Sequence, residues 1–238
     1  MKITKVQSVY QLAFMPRLFP VNCYLVEEND GLTLVDAALP YSSKSILKAA
    51  DTIGKSIKNI VLTHAHGDHV GSLDVLKELL PEVEVSISSR DSRLLFGDVS
   101  LMPNEKIVPI RGGIPKNIVT RPDRLLHEGD RIGSLEVILT PGHTPGSISL
   151  LDTRNSSLIV GDAFQTRGGL AVSGVVKPLF PFPALATWDK ESSLASARRL
   201  LACQPSMLAA GHGKMIEHPI ALMEKAIEKA EKNSNGGK

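Results

Sequence analysis

The run Thr63-His64-Ala65-His66-Gly67-Asp68-His69 limits what this chain can become more than any other stretch. Four side chains able to ligate a metal fall within six residues, directly after the apolar run Ile60-Val61-Leu62, which reads as a short buried strand. From the chain's own His and Asp frequencies, His-x-His-x-Asp-His arises in only about 0.0003 of shuffled sequences. Neutral imidazoles and carboxylates on a short loop at a strand end suit metal binding, because the sheet fixes the ligands while the loop turns them inward. Alternation sends His64 and His66 toward one point, and Asp68 and His69 can then turn toward a second nearby. Gly67 permits the backbone twist between them.

The surrounding sequence predicts a fold that can hold such a loop. Strands are expected over 3–10, 21–28 and 31–36, with Asn29-Asp30-Gly31 as the turn between the last two. A helix follows over 42–53 and stops at Gly54, then comes the 60–63 strand, and Val70 to Leu80 carries helical spacing up to Pro81. A strand at 83–87 and a short helix to Phe96 lead into 97–124, where repeated Pro and Gly predict a long irregular loop, a candidate lid. The second half predicts a meander over 124–127, 131–132, 135–140, 147–152 and 157–160. A Gly-, Pro- and Phe-rich irregular region at 163–186 precedes a helix from Trp188 to Cys203, a strand at 207–210 and a last helix over 219–231. Strands then helices, twice over, fit two sheets face to face with helices outside: an α/β four-layer αββα sandwich. One domain is expected over 1–232, with 233–238 as a disordered tail.

Three more ligand candidates sit where the first cluster sits, immediately after strands. His143 lies in Thr140-Pro141-Gly142-His143-Thr144-Pro145-Gly146-Ser147, Asp162 in Gly161-Asp162-Ala163, and His212 between Gly211 and Gly213. Each alone is weak, since a His in a glycine turn is commonly a surface residue. Their recurrence at strand ends reverses that reading.

Together, His64-x-His66-x-Asp68-His69, His143, Asp162 and His212, with their Thr, Pro-Gly and Gly-Asp contexts, resemble the motif series of the metallo-β-lactamase superfamily, over about residues 3–216. The resemblance is to the glyoxalase II and lactonase-like branch. It implies two divalent metal ions, zinc first, with manganese or iron as alternatives. One would be held by His64, His66 and His143 and the other by Asp68, His69 and His212. Asp162 would bridge them, Asp68 would shuttle a proton, and Asp36 would orient a ligand His. Asp68 and Asp162 are thus the expected catalytic residues. The implied activity is hydrolysis of an ester, lactone or thioester, with a phosphodiesterase or an iron-dependent persulfide dioxygenase-like oxidoreductase as alternatives. Asp162 stands where the main secreted zinc β-lactamases carry cysteine, which argues against antibiotic hydrolysis. Only one helix follows His212, which argues against glutathione thioesters.

Composition bears on partners. Twenty-seven Lys and Arg against 25 Asp and Glu give a net charge of +2, too balanced to predict nucleic-acid binding. No stretch approaches the length of a membrane helix. Residues 1–8 alternate as a strand does and do not resemble a signal peptide, so a cytoplasmic location is expected. Cys23 and Cys203 are far apart, match no zinc or redox spacing, and read as buried small hydrophobes. The partner expected is a small molecule, partly apolar because Phe164, Phe180 and Phe182 crowd 163–186. Phe14, Met15 and Phe19 are expected either to rim the site or to pack on a second copy in a homodimer. Arg17, Arg111 and Arg167 are candidates for a substrate carboxylate or phosphate, and His127 and His218 read as exposed or structural.

Overall fold

The structure is a computed structural model and describes residues 1–235. It consists of two mixed sheets with helices on their outer faces. The first sheet runs, in spatial order, β1 (Lys2–Val6), β2 (Val9–Phe14), β3 (Val21–Glu27), β4 (Leu32–Val35), β5 (Ile57–Leu62), β6 (Glu84–Ser88) and β7 (Arg124–Leu126). The second runs β15 (Ile216–Glu217), β14 (Met207–Ala209), β11 (Ser157–Ile159), β10 (Ile148–Asp152), β9 (Leu135–Leu139) and β8 (Arg131–Ile132). A two-stranded ribbon, β12 (Phe164–Gln165) with β13 (Ala171–Val172), lies apart.

Three apolar clusters separate four layers. Val26, Val35 and Val61 of the first sheet meet Val137, Leu150 and Ile159 of the second, the contact that makes this a sandwich. On the outer face of the first sheet, Leu25, Leu34 and Ile60 receive Ile46 and Ala49 of α1 (Ser43–Ile53) and Leu76 of α3 (Leu73–Leu79). On the outer face of the second sheet, Leu158 and Leu208 receive Ala197 and Leu200 of α6 (Lys190–Ala202) and Met223 and Ile227 of α7 (Ile220–Asn235). This is the αββα sandwich expected from the order of elements.

Several local expectations are corrected. The strand expected over 3–10 is a hairpin: Val6 pairs with Val9 around Gln7 and Ser8, and Gln7 takes a φ of 51° without any Gly or Asn to announce the turn. The helix expected over 70–80 is two, α2 (Gly67–Val70) and α3, separated at Gly71 and Ser72. A Cβ on Gly71 would stand 2.6 Å from Pro40 N and 2.7 Å from Ala38 O, so the break is where the helix passes the β4–α1 connection. Residues 124–126 do not join the second-half meander; β7 pairs in parallel with β6 and closes the first sheet. The region 163–186 holds the β12–β13 ribbon and a short helix, α5 (Phe182–Leu185). Finally, α7 continues through Asn235, so the expected tail at 233–238 is helical to 235, and 236–238 lie outside the described residues. No described helix is long and apolar enough to cross a membrane.

Candidate metal centre

Every ligand candidate sits just beyond the end of a strand, on the rim where the two sheets meet. His64, His66, Asp68 and His69 follow β5, His143 follows β9, Asp162 follows β11 and His212 follows β14. The structure brings all seven together. Ligand atoms of His64, His66 and His143 lie within 4.8 Å of one another, as do those of Asp68, His69 and His212. A further set, His64, His69 and Asp162, spans the two. Asp162 reaches across the centre, with Oδ2 3.4 Å from His143 Nε2 and 3.2 Å from His212 Nε2, and Oδ1 3.5 Å from His69 Nε2. Asp68 Oδ2 is 3.5 Å from His212 Nε2. Asp68 is the one ligand candidate that is partly exposed; the other six are buried.

The hydrogen bonds behind the histidines decide which nitrogen each presents. Thr63 Oγ1 donates to Asp36 Oδ2 at 2.8 Å, so its lone pair accepts from His64 Nδ1 at 3.1 Å and His64 Nε2 carries no proton. His66 Nε2 donates to the Arg111 carbonyl at 2.9 Å, leaving Nδ1 as the free nitrogen. His69 Nδ1 donates to Asp36 Oδ2 at 2.8 Å, and His212 Nδ1 to the Pro20 carbonyl at 2.6 Å. For His143 a relay sets the direction. Thr187 Oγ1 donates to the Pro183 carbonyl at 2.7 Å and so accepts from Ser173 Oγ at 2.8 Å. Ser173 therefore accepts from His143 Nδ1 at 3.0 Å. All five imidazoles turn one N–H outward to a fixed acceptor, which leaves the other ring nitrogen facing the centre.

That arrangement fits metal ions and little else. His64 Nε2, His69 Nε2 and Asp162 Oδ1 are buried without a hydrogen-bond partner, a costly state for polar atoms unless a cation meets them. His66 Nδ1 and His143 Nε2 face each other at 2.9 Å with both outer nitrogens already protonated, so two lone pairs confront one another unless a positive charge lies beside them. The donor set, five imidazoles and two carboxylates, suits zinc, manganese or iron.

The electrostatics divide the site in two. Burial pushes His64 well below the usual imidazole range, lowers His66, and takes His143 down to about 3. Those three shifts all favour the neutral ring, the form able to ligate a metal. At His69 burial opposes the charged form, but the carboxylates of Asp36, Asp162 and Asp68 outweigh it and raise the ring to about 10. His212 moves up for the same reason, with Asp162 as the chief carboxylate. Asp162 is held well below the usual carboxylate range: burial would raise it, and His212 and His69 overcome that.

Four supports had no distinct sequence signal. The Arg111 and Pro20 carbonyls could come from any residue type. Ser173 is far from His143 in sequence. The fourth is Asp91, at the start of α4 (Asp91–Leu95) and fully buried. Its Oδ2 accepts from Ala65 N at 3.0 Å and from Thr144 Oγ1 at 2.7 Å, and its Oδ1 from Gly146 N at 2.8 Å. Asp91 therefore ties the His64–His66 loop to the His143 turn. Asp36, anticipated as a support, accepts from Thr63 N, Thr63 Oγ1 and His69 Nδ1, with a φ of 63° that a non-glycine residue keeps only under constraint. Two glycines are needed for close approach. A Cβ on Gly211 would fall 2.2 Å from Asp162 Oδ1, and one on Gly112 2.3 Å from His66 Nε2.

A cavity of about 360 Å³ opens over the ligands. His66, Asp68, His143, Asp162 and His212 form its floor, and Phe19, Phe182 and Leu185 its apolar side. Phe19, Phe180 and Phe182 pack with ring centroids 5.0 to 5.4 Å apart, and Phe180 lies 5.2 Å from the His212 ring. Phe164 instead belongs to the core of the second half. Of the two irregular regions, 97–124 brings Gly112 and Gly113 to the cavity wall, with Gly113 O accepting from Gly67 N at 2.8 Å. The Arg17, Arg111 and Arg167 side chains are absent from its lining. Cys23 is buried, whereas Cys203 is only partly so.

The pattern of the metallo-beta-lactamase superfamily matches residues 16–212, and the chain belongs to that superfamily. It is 59% identical to the uncharacterized protein YobT of Bacillus subtilis (strain 168), over 98% of this chain and 100% of YobT. It is 30% identical to the probable metallo-hydrolase YflN of the same organism, over 81% of this chain and 80% of YflN. Among solved structures it is similar to TTHA1623, crystallised in a di-iron-bound form. The identity is 27% and the TM-score 0.64, covering 88% of this chain and 95% of that one.

Proposed function

We propose that the chain is a dinuclear metal-dependent hydrolase acting on the carbonyl of a small, partly apolar ester, lactone or thioester. The observation that carries this is the convergence of unpartnered ligand atoms on two neighbouring points, beneath a cavity with one polar floor and one apolar side. His64, His66 and His143 would hold one ion and Asp68, His69 and His212 the other, with Asp162 shared between them. Bound there, two divalent ions, zinc being the first candidate, supply Lewis acidity that makes water nucleophilic near neutral pH and polarises the carbonyl oxygen. The rest falls to the chain. Asp162, held ionised, keeps the centre's charge balanced. Asp68, partly open to the cavity, would take a proton from the water and return it to the leaving group. Phe19, Phe182 and Leu185 bind the acyl or alkyl part and exclude water.

Two alternatives are less well supported. A phosphodiesterase is less favoured because one side of the cavity is apolar and its lining contains neither Lys nor Arg to add to the charge of bound metal ions. A one-iron dioxygenase would need only one ligand set, and Asp68, His69 and His212 are assembled as fully as the other.

The test is a hydrolysis screen on one metal-assayed preparation, comparing p-nitrophenyl esters, γ-lactones and acyl thioesters with bis(p-nitrophenyl) phosphate. The expected result is about two metal ions per chain and chelator-sensitive turnover of at least one carbonyl class. Turnover of the phosphate diester alone, or one iron per chain with oxygen consumption, would replace this reading.

A further inference from the structure

A second cavity is larger than the one over the candidate metal ligands. This cleft of about 790 Å³ lies behind the first, on the other side of the segments that carry Phe19 and His212. Neighbouring residues face opposite ways: Phe19 and His212 line the first cavity, while Arg17, Pro20 and Gly213 line the second. The hairpin β1–β2 supplies one wall. Thr4 pairs with Gln11 and Lys2 with Ala13, so all four project from one sheet face into the cleft. The 166–168 segment and 213–217 close the other side.

The charge of this cleft is one-sided. Lys2, Arg17, Arg167 and Lys214 line it, against the single carboxylate of Glu217. Of the nine arginines elsewhere, seven, at 90, 93, 124, 131, 154, 198 and 199, are paired with a carboxylate. Among the described residues, the four cations of the cleft have no such partner. Arg167 Nη2 donates to the Arg17 carbonyl at 2.7 Å, which draws the two arginine segments together and leaves the other guanidinium N–H groups uncommitted. At the base, buried Gln11 donates to the Gly213 carbonyl at 2.8 Å, so the floor is ordered and polar. The volume is that of a ligand pocket, and two guanidinium forks beside two ammonium groups match oxyanions.

We propose that this cleft binds a small molecule carrying two or more oxyanion groups, phosphate or carboxylate, at a site separate from the metal centre. The site adjoins the catalytic machinery. Pro20, in its wall, accepts the His212 Nδ1 hydrogen, and Thr166, also in its wall, donates from N to the His212 carbonyl at 2.9 Å and from Oγ1 to the Lys214 carbonyl at 2.8 Å. An occupant would therefore hold the two segments that fix His212 and carry Phe19. The inference does not depend on which substrate the metal centre hydrolyses.

Isothermal titration calorimetry on the metal-loaded chain tests it, with fructose 1,6-bisphosphate and tricarballylate as probes that separate phosphate from carboxylate recognition. At least one should bind one-to-one with a Kd of about 1 mM or tighter. The double substitution R17A/R167A should weaken that binding by about 10-fold or more. K2A/K214A, at two exposed lysines, should weaken it independently. Asp162→Asn, which disrupts the metal centre, should leave it in place. Three results would overturn the proposal: neither probe binding at about 10 mM, affinity unchanged in both double variants at unchanged melting temperature, or affinity lost in Asp162→Asn while R17A/R167A retains it.

Discussion

Asp91 touches no ligand atom, yet both ligand loops depend on it. Asn at this position keeps the shape and removes the charge. In its better orientation the amide oxygen still accepts from Ala65 N and Thr144 Oγ1, while the amide NH₂ confronts Gly146 N. One buried backbone donor is stranded, at a cost of about 1–3 kcal/mol. Asp91→Ala strands both backbone donors and leaves a cavity, so its cost is larger, about 3–5 kcal/mol. Because Ala65 lies between His64 and His66 and Thr144 follows His143, both variants should also loosen the His64–His66–His143 set, by about 10- to 100-fold in metal affinity. Urea unfolding of metal-free and metal-loaded protein gives the first quantity and competition with a chromophoric chelator the second. The charge makes a further difference. Burial raises the Asp91 carboxyl to about 6 from 3.8, against the three hydrogen bonds that favour its ionised form. A raised carboxyl stabilises the fold below pH ~3.8 and loses that contribution as the pH rises through ~6, an amount of roughly 3 kcal/mol. The stability advantage of metal-free wild type over Asp91→Asn should therefore widen as the pH falls from 7 to 4. A cost below about 0.5 kcal/mol for Asp91→Ala, with metal affinity unchanged, would refute the tie between the loops.

Three other expectations are open to measurement. Asp36→Ala removes the acceptor of His69 Nδ1 and of Thr63, and should lower affinity for one of two bound ions by about 10- to 100-fold in the same competition assay. Metal uptake at pH 8 should release about one proton from His69, which its three carboxylate neighbours keep protonated up to about 10 in the metal-free chain. Calorimetry in buffers of different ionisation enthalpy reads that release, and none would mean the ring is already neutral. Gly112→Ala places a methyl group against the His66 ring at a φ of 99°, and should reduce turnover at least 10-fold while costing about 1–3 kcal/mol in thermal unfolding.

What was legible in the sequence and what was not divides along physical lines. The seven ligand candidates stood out because imidazoles and carboxylates sit in short strand-end contexts that repeat, and Gly67, Gly142 and Gly211 mark the turns. The layered architecture followed from the alternation of strand-like and helical runs. Residues 124–126 read as part of the second-half meander because three residues, Arg124–Leu126, pair with β6 across a long loop that carries no local signal of its partner. The turn at Gln7 was missed because a left-handed residue without Gly or Asn looks like strand. The carbonyls of Arg111 and Pro20 that orient His66 and His212 were invisible in principle, since every residue has one.

The origin of the ligands has a consequence for the lifetime of the chain. His64, His66, Asp68 and His69 follow a strand of one sheet, while His143, Asp162 and His212 follow strands of the other. Neither half holds a complete set, so metal favours only the state in which the two are docked. Its contribution grows with the ratio of free metal to dissociation constant, about 2.7 kcal/mol at a hundredfold excess. Proteolysis reads the fraction of molecules in which the halves have parted. The abundance of this protein in a cell should therefore rise and fall with metal supply, even at constant synthesis.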